Sequence, residues 1–161
     1  LPHPLVQPIE ALAPLRAAGR VLAGLDLGTK TIGVAVGDRT GVIATPLAVI
    51  QRTRFGRDVV TLMELLASRA PAGFVVGLPV DMDGGEGPRA QSARRFADDL
   101  AGRVGLPVAL WDERWSTAAV TRAMIDADMS RAKRAKVVDR AAAAWILQGA
   151  LDRLSRLPAA S

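Results

Sequence analysis

Residues 25–38, LDLGTKTIGVAVGD, decide how the rest of the chain is read. They lie inside a longer apolar run that begins at Val21, and residues 21–25 show little polar alternation, the pattern of a strand covered on both faces. That run ends on a carboxylate, Asp26. Gly28, Thr29, Lys30 and Thr31 then make a polar turn, and residues 32–36 return as a second apolar run, so the stretch reads as a hairpin. An acid at the mouth of a buried strand is costly unless a cation, a metal or hydrogen-bond donors meet it. Two readings follow. Asp26 is a turn residue accepting backbone N–H bonds from Gly28 or Thr29, or it handles a metal or phosphate, with Gly28 admitting a ligand close to the backbone.

The rest of the composition narrows the chemistry. The 161 residues, half of them apolar, suffice for one well-filled domain. There is no cysteine, which removes disulfides, thiolate metal sites and cysteine nucleophiles together. His3 is the sole histidine and sits among prolines, so neither a Ser-His-Asp triad nor a histidine-rich zinc site is expected. No apolar run approaches the ~20 residues of a membrane span, and no signal-peptide pattern opens the chain, so a cytoplasmic protein is expected. A net charge of +5 points to an anionic partner, with nucleic acid first in line.

Outward from the hairpin, residues 1–19 carry Pro2, Pro4, Pro8 and Pro14 and read as a flexible N-terminal extension, with the domain spanning 20–157 and a short tail at 158–161. Residues 42–50 form a third strand, and Pro46 places it at a sheet edge. A basic connection holding Arg52, Arg54 and Arg57 leads into a helix that Asp58 can cap and whose apolar residues recur to about Arg69. Residues 74–76 are a buried strand that leaves through Gly77, Leu78 and Pro79 into the Asp- and Gly-rich loop 80–88. Its acids lack calcium-loop spacing, and a loop reaching over an active site is the expectation. Residues 89–102 form a helix whose Arg89, Arg94 and Arg95 read as a solvated face.

Residues 106–111 are another strand, ending on Asp112, Glu113 and Arg114, and Ser116 or Thr117 caps a helix running to about 127. Arg131, Lys133, Arg134 and Lys136 form a basic cluster suited to tracking a phosphate backbone. The last helix, about 135–157, buries Ala142, Ala143, Ile146, Leu147, Ala150, Leu151 and Leu154 at three- and four-residue steps. Projected backward, that face contains Asp139, an acid on an apolar stripe whose small alanines imply close approach to the sheet.

Asp26, Glu113 and Asp139 thus come from two strand ends and one helix, and would repel one another without cations. Oxygen-only ligands suit Mg2+ or Mn2+. Two such ions about 3.5–4 Å apart can activate water and stabilise the leaving oxygen in phosphodiester hydrolysis. Lys30 or Arg114 would then neutralise phosphate charge.

The element order gives a mixed five-stranded sheet with helices on both faces, the layout of the α/β RNase H-like fold. Four motifs in order make the likeness specific: Asp26-Leu27-Gly28-Thr29-Lys30 with Ile32-Gly33-Val34-Ala35; Val76-Gly77-Leu78-Pro79 with Met82-Asp83-Gly84; Asp112-Glu113-Arg114 with Ser116-Thr117; and Asp139 with Ala142, Ala143, Ile146 and Leu147. The chain resembles the YqgF/RuvX family of pre-16S rRNA nucleases and Holliday junction resolvase-like proteins. The resemblance implies an acidic centre of Asp26, Glu113 and Asp139, and a substrate of structured RNA or branched DNA, the latter bound by a homodimer. Departures fall at Thr31, where the family often has a basic residue, at Asp81, where Asn is frequent, and at Trp115, where an aliphatic is usual. Other RNase H-like proteins carry an acid at the end of the strand after the first helix. Here that strand ends in Gly77-Leu78-Pro79, so Glu113 must supply the second acid, with Asp112 as its substitute.

Two rivals remain. Asp-x-Gly-Thr-Lys after a strand also resembles the first phosphate motif of actin-like kinases and ATPases, but those close two domains around a nucleotide and this chain has material for one. A non-catalytic nucleic-acid-binding module would keep the fold without needing all three acids.

Overall fold

A computed structural model of the chain describes residues 2–115 and 131–158, with 131–140 described as helix backbone only. The elements are β1 (Val6–Gln7), a 3-10 turn (Ile9–Leu12), α1 (Ala13–Ala17), β2 (Leu22–Leu27), β3 (Thr31–Gly37), β4 (Ala44–Gln51), α2 (Phe55–Leu66), β5 (Gly73–Leu78), α3 (Pro88–Val104), β6 (Val108–Asp112), a second 3-10 turn (Glu113–Trp115) and α4 (Arg131–Ser155). The helix expected from Ser116 or Thr117 to about 127, and the side chains of Arg131, Lys133, Arg134, Lys136 and Asp139, lie outside the described residues.

Among the described residues six strands make one mixed sheet in the order β1-β6-β5-β2-β3-β4. β2, β3 and β4 are antiparallel in sequence, and β5, β6 and β1 extend the other side of β2 in parallel. The hairpin at residues 25–38 therefore sits at the centre, as its two-sided apolar pattern requires. β4 lies at an edge. The pairing register slips opposite Val34 and Ala35, jumping from Ala48 to Pro46, so the proline that cannot donate to a ladder sits beside a bulge on an outer strand.

The expected count of five strands is corrected to six, and with it the reading of residues 1–19. Val6 and Gln7 pair with Val108 and Ala109, adding β1 outside β6. Leu12 is completely buried and Ile9 nearly so. The segment is part of the core, because a proline-punctuated run that offers apolar residues to an open sheet edge gains more by covering it than by staying in water.

Strand alternation divides the sheet into two unlike faces. One packs Leu25, Leu27, Ile32, Val34, Phe74, Val76 and Val108 against Leu62 and Leu66 of α2 and Phe96 and Leu100 of α3. The other packs Leu22, Ala35, Val75, Ala109 and Trp111 against Ala143, Ile146, Leu147 and Leu151 of α4. On that second face Gly24 is the closest point: a Cβ there would stand 2.7 Å from Leu147 Cβ and 3.0 Å from the Ala143 carbonyl oxygen. The small residues thus let α4 lie almost against the backbone of β2.

Candidate active site

Asp26 is the penultimate residue of β2 and is half-buried. Two residues beyond Gly24 on a regular strand, it points to the α4 face. The Gly28 N–H donates to the Thr31 carbonyl at 2.8 Å, so this donor is taken up inside the hairpin and not by the Asp26 carboxylate.

Glu113 follows β6 at the same edge of the sheet. Its carboxylate lies over Gly77 of β5: a Cβ on Gly77 would meet Glu113 Oε1 at 2.9 Å and Ile146 Cδ1 of α4 at 2.5 Å. β5 is the immediate neighbour of β2, and the pairing Leu25 with Val76, carried on by one residue, sets Asp26 level with Gly77. Glu113 therefore reaches across β5 to the α4 face and presents its oxygens over the strand next to the one that bears Asp26. The absent side chain at Gly77 is what opens this path. The sequence signal was there in a glycine standing where related folds carry an acid, but its use as a seat for Glu113 is visible only in three dimensions.

Asp112 goes the other way. It lines a cleft with Leu78, Val80 and Leu110 on the α3 side, is 7% exposed, and is gripped by Arg114. The Arg114 Nε donates to its two oxygens at 3.1 and 3.2 Å, Nη2 donates to Oδ2 at 2.7 Å, and the Arg114 backbone N–H donates to Oδ1 at 2.9 Å. Burial pushes the Asp112 carboxyl upward, but the Arg114 side-chain and backbone hydrogen bonds outweigh it and hold the group below its ordinary range. Arg114 Nη1 meanwhile reaches the carbonyls of Asp81 and Met82, at 3.3 and 3.5 Å, tying down loop 80–88. Within that loop Asp83 accepts from the Gly85 N–H at 2.8 Å, and Glu86 binds Arg94 through contacts of 2.5 and 2.7 Å. Asp83 and Glu86 are thus engaged locally. Trp115 is mostly exposed and stands edge-on to Trp111 at 5.7 Å.

Residue 139 stands one turn before Ala143 in α4. Leu151 meets Gly37, beside the start of β2, while Leu147 and Ala143 meet Gly24 further along, so α4 runs antiparallel to β2. One more helical turn, about 6 Å, corresponds to about two strand residues and brings residue 139 toward the end of β2 that carries Asp26. Among the described residues no group of three His, Cys, Asp or Glu is placed to hold a metal; the described part contributes Asp26 and Glu113, and the Asp139 side chain lies outside it. Lys30 is exposed in the β2–β3 turn, three residues past the end of β2.

A central strand ending in an acid, parallel strands on one side, an antiparallel hairpin on the other and a long helix across one face define an RNase H-like α/β domain. The same fold is found in Thermus thermophilus RuvC, solved in complex with a Holliday junction substrate, at a TM-score of 0.54 and 19% identity over 85% of this chain and 97% of that one. Residues 20–153 match the family model described as RuvX, Holliday junction resolvase, and the chain belongs to that family. A Rhodobacter capsulatus relative is 61% identical over 84% of this chain and 86% of its own, and one from Bradyrhizobium sp. (strain ORS 278) is 57% identical over 98% and 97%; each bears the name "Putative pre-16S rRNA nuclease".

Proposed function

We propose that this protein is a Mg2+- or Mn2+-dependent nuclease that cuts structured RNA, acting in 5′-end processing of pre-16S rRNA in the cytoplasm. The observation that carries the reading is the Glu113 carboxylate lying over Gly77, on the same face and at the same sheet edge as Asp26. Two carboxylates so placed suit a hard cation, and all-oxygen donors favour magnesium or manganese over zinc or copper. Asp26, Glu113 and Asp139 would hold two ions. Bound there, they supply Lewis-acid activation of water and charge neutralisation at the leaving oxygen. The chain's own residues do the rest: β2 and β6 fix two of the acids on rigid strand ends, Gly77 leaves room for their approach, and Lys30 meets phosphate charge from the turn. The names of the relatives support RNA as the substrate. No helix among the described residues is long and apolar enough to cross a membrane.

The family description and the fold shared with a junction-bound RuvC favour branched DNA as the second reading, with a homodimer holding the four arms. Digestion of a precursor 16S rRNA fragment and of a four-way DNA junction, side by side with Mg2+ or Mn2+, separates the two. Cleavage of the RNA alone supports the proposal, and cleavage of the junction alone replaces it. Binding of both without cleavage of either leaves a nucleic-acid-binding module, and tight ATP binding without cleavage would bring back the actin-like rival.

A further inference from the structure

The arginines around the carboxyl edge of the sheet fall into two groups. Arg94 and Arg114 are each forked onto a carboxylate, Glu86 and Asp112. Arg52 and Arg89 have no carboxylate within salt-bridge distance among the described residues. Both instead converge on the strand that carries Asp26. Arg52 follows β4 directly and is latched to the β2–β3 turn twice, its backbone N–H donating to the Lys30 carbonyl at 2.8 Å and its Nη1 to the Gly28 carbonyl at 2.7 Å. Its neighbour Thr53 is held in turn by the buried Asp58, which accepts from the Thr53 N–H at 3.0 and 3.1 Å and from its hydroxyl at 2.7 Å. Arg89, in the first turn of α3, reaches the Leu27 carbonyl through Nη2 at 3.4 Å.

Between them is a cleft of about 500 Å3, lined also by Thr29, Thr53 and Ser92 and, among the described residues, by no acid. A guanidinium carries five N–H donors, so one carbonyl bond each leaves most of both forks for a ligand. Two cations with hydroxyl donors and no competing carboxylate match a phosphodiester, whose oxygens accept such forks in pairs.

We propose that Arg52 and Arg89 clamp a backbone phosphate of the substrate strand beside the cleaved bond. This rests on the nuclease reading above. The carbonyls they hold belong to Leu27 and Gly28, the two residues after Asp26, and the cleft lies on the α3 side of the strand end whose other side carries the acids, so a strand bound there crosses the carboxyl edge toward the acidic centre in a fixed register. Because the clamp holds phosphate away from the reacting atoms, both arginines are positioning residues.

The test is fluorescence anisotropy with a labelled precursor 16S rRNA fragment in Ca2+ over a range of salt, together with cleavage at limiting and at saturating RNA in Mg2+. The proteins are wild type, Arg52→Gln, Arg89→Gln, the double variant, Arg89→Lys, and Arg69→Gln as a charge-matched control beyond the far end of α2. Each Gln variant of the clamp is expected to weaken binding about tenfold and to lower the slope of log Kd against log salt by about 0.7–0.9. Cleavage at saturating RNA should fall less than cleavage at limiting RNA, Arg89→Lys should keep the slope, and Arg69→Gln should leave it unchanged. Should Arg52→Gln fail to fold, Arg89→Gln decides alone, since its single bond is long. A double variant that keeps the wild-type slope, or loses no more than the control, overturns the clamp and leaves the nuclease reading standing. Wild-type protein that binds no nucleic acid overturns both.

Discussion

The two faces of the sheet are built on opposite rules. Toward α2 and α3 the strands present bulk, in Leu25, Leu27, Ile32, Val34, Phe74 and Val76. Toward α4 they present Gly24, Gly33, Ala35, Gly37 and Gly77, with large side chains mainly at the strand starts and on β6. Bulk buries apolar area, and the first face supplies stability in proportion. Smallness allows approach. The second face gives up packing volume so that a helix can lie against the backbone, and the acids Asp26 and Glu113 emerge on this side. One face holds the domain together and the other assembles the chemistry.

Substitutions matched across the sheet test that division. The largest effect is expected for Asp26→Asn and Glu113→Gln, which should each cut cleavage by about 10^3-fold or more while the circular dichroism spectrum and melting transition stay as in wild type. Asp112→Asn, one residue from Glu113 but on the opposite face, should cost less than about tenfold by the same assay. An Asp112 variant as inactive as the Glu113 variant would erase the distinction between the faces.

Next come the packing residues. Leu25→Ala leaves a cavity on the bulky face and should destabilise by about 2–5 kcal/mol in urea unfolding, with activity per folded molecule retained. Gly24→Ala, its immediate neighbour, forces a Cβ to within 2.7 Å of Leu147 Cβ and 3.0 Å of a backbone oxygen. A stability loss of about 1–3 kcal/mol is expected. Because α4 must shift to admit that methyl group, activity per folded molecule should fall too. Gly77→Ala should act similarly, with Ile146 yielding more easily than backbone and Glu113 pushed from its seat.

The smallest effect concerns pH. Asp112 is held below its ordinary value of 3.8 by Arg114, against burial. A carboxyl depressed in the folded protein contributes stability that is present above the unfolded value and is lost as pH falls through the folded one. Acid unfolding of wild type should therefore steepen below about pH 4 relative to Asp112→Asn, as followed by thermal melts between pH 2 and 6.

The hairpin, the central place of β2, the edge position of β4 and the buried row of α4 were all legible from sequence, because each rests on local periodicity or on a proline. Residues 1–19 were not. Val6 finds its partner at Val108, and no local pattern announces a pairing across a hundred residues, so four prolines in that stretch read as disorder. The choice between Asp112 and Glu113 was also out of reach, since alternation reverses the face if a strand ends one residue sooner or later. Arg89 read as solvated because its meeting with Arg52 depends on where α3 begins relative to the β2–β3 turn.

For this edge of the sheet to cut RNA, the oxygens of Asp26, Glu113 and Asp139 must share divalent ions. Crystals soaked in Mn2+ and measured at a wavelength where manganese scatters anomalously answer this directly. Anomalous peaks within about 2.0–2.3 Å of Asp26 and Glu113 oxygens, shared with Asp139 and lost in Asp26→Asn crystals, are the expected result. Manganese bound elsewhere, or no peak at this edge in protein that still cleaves RNA, would contradict it.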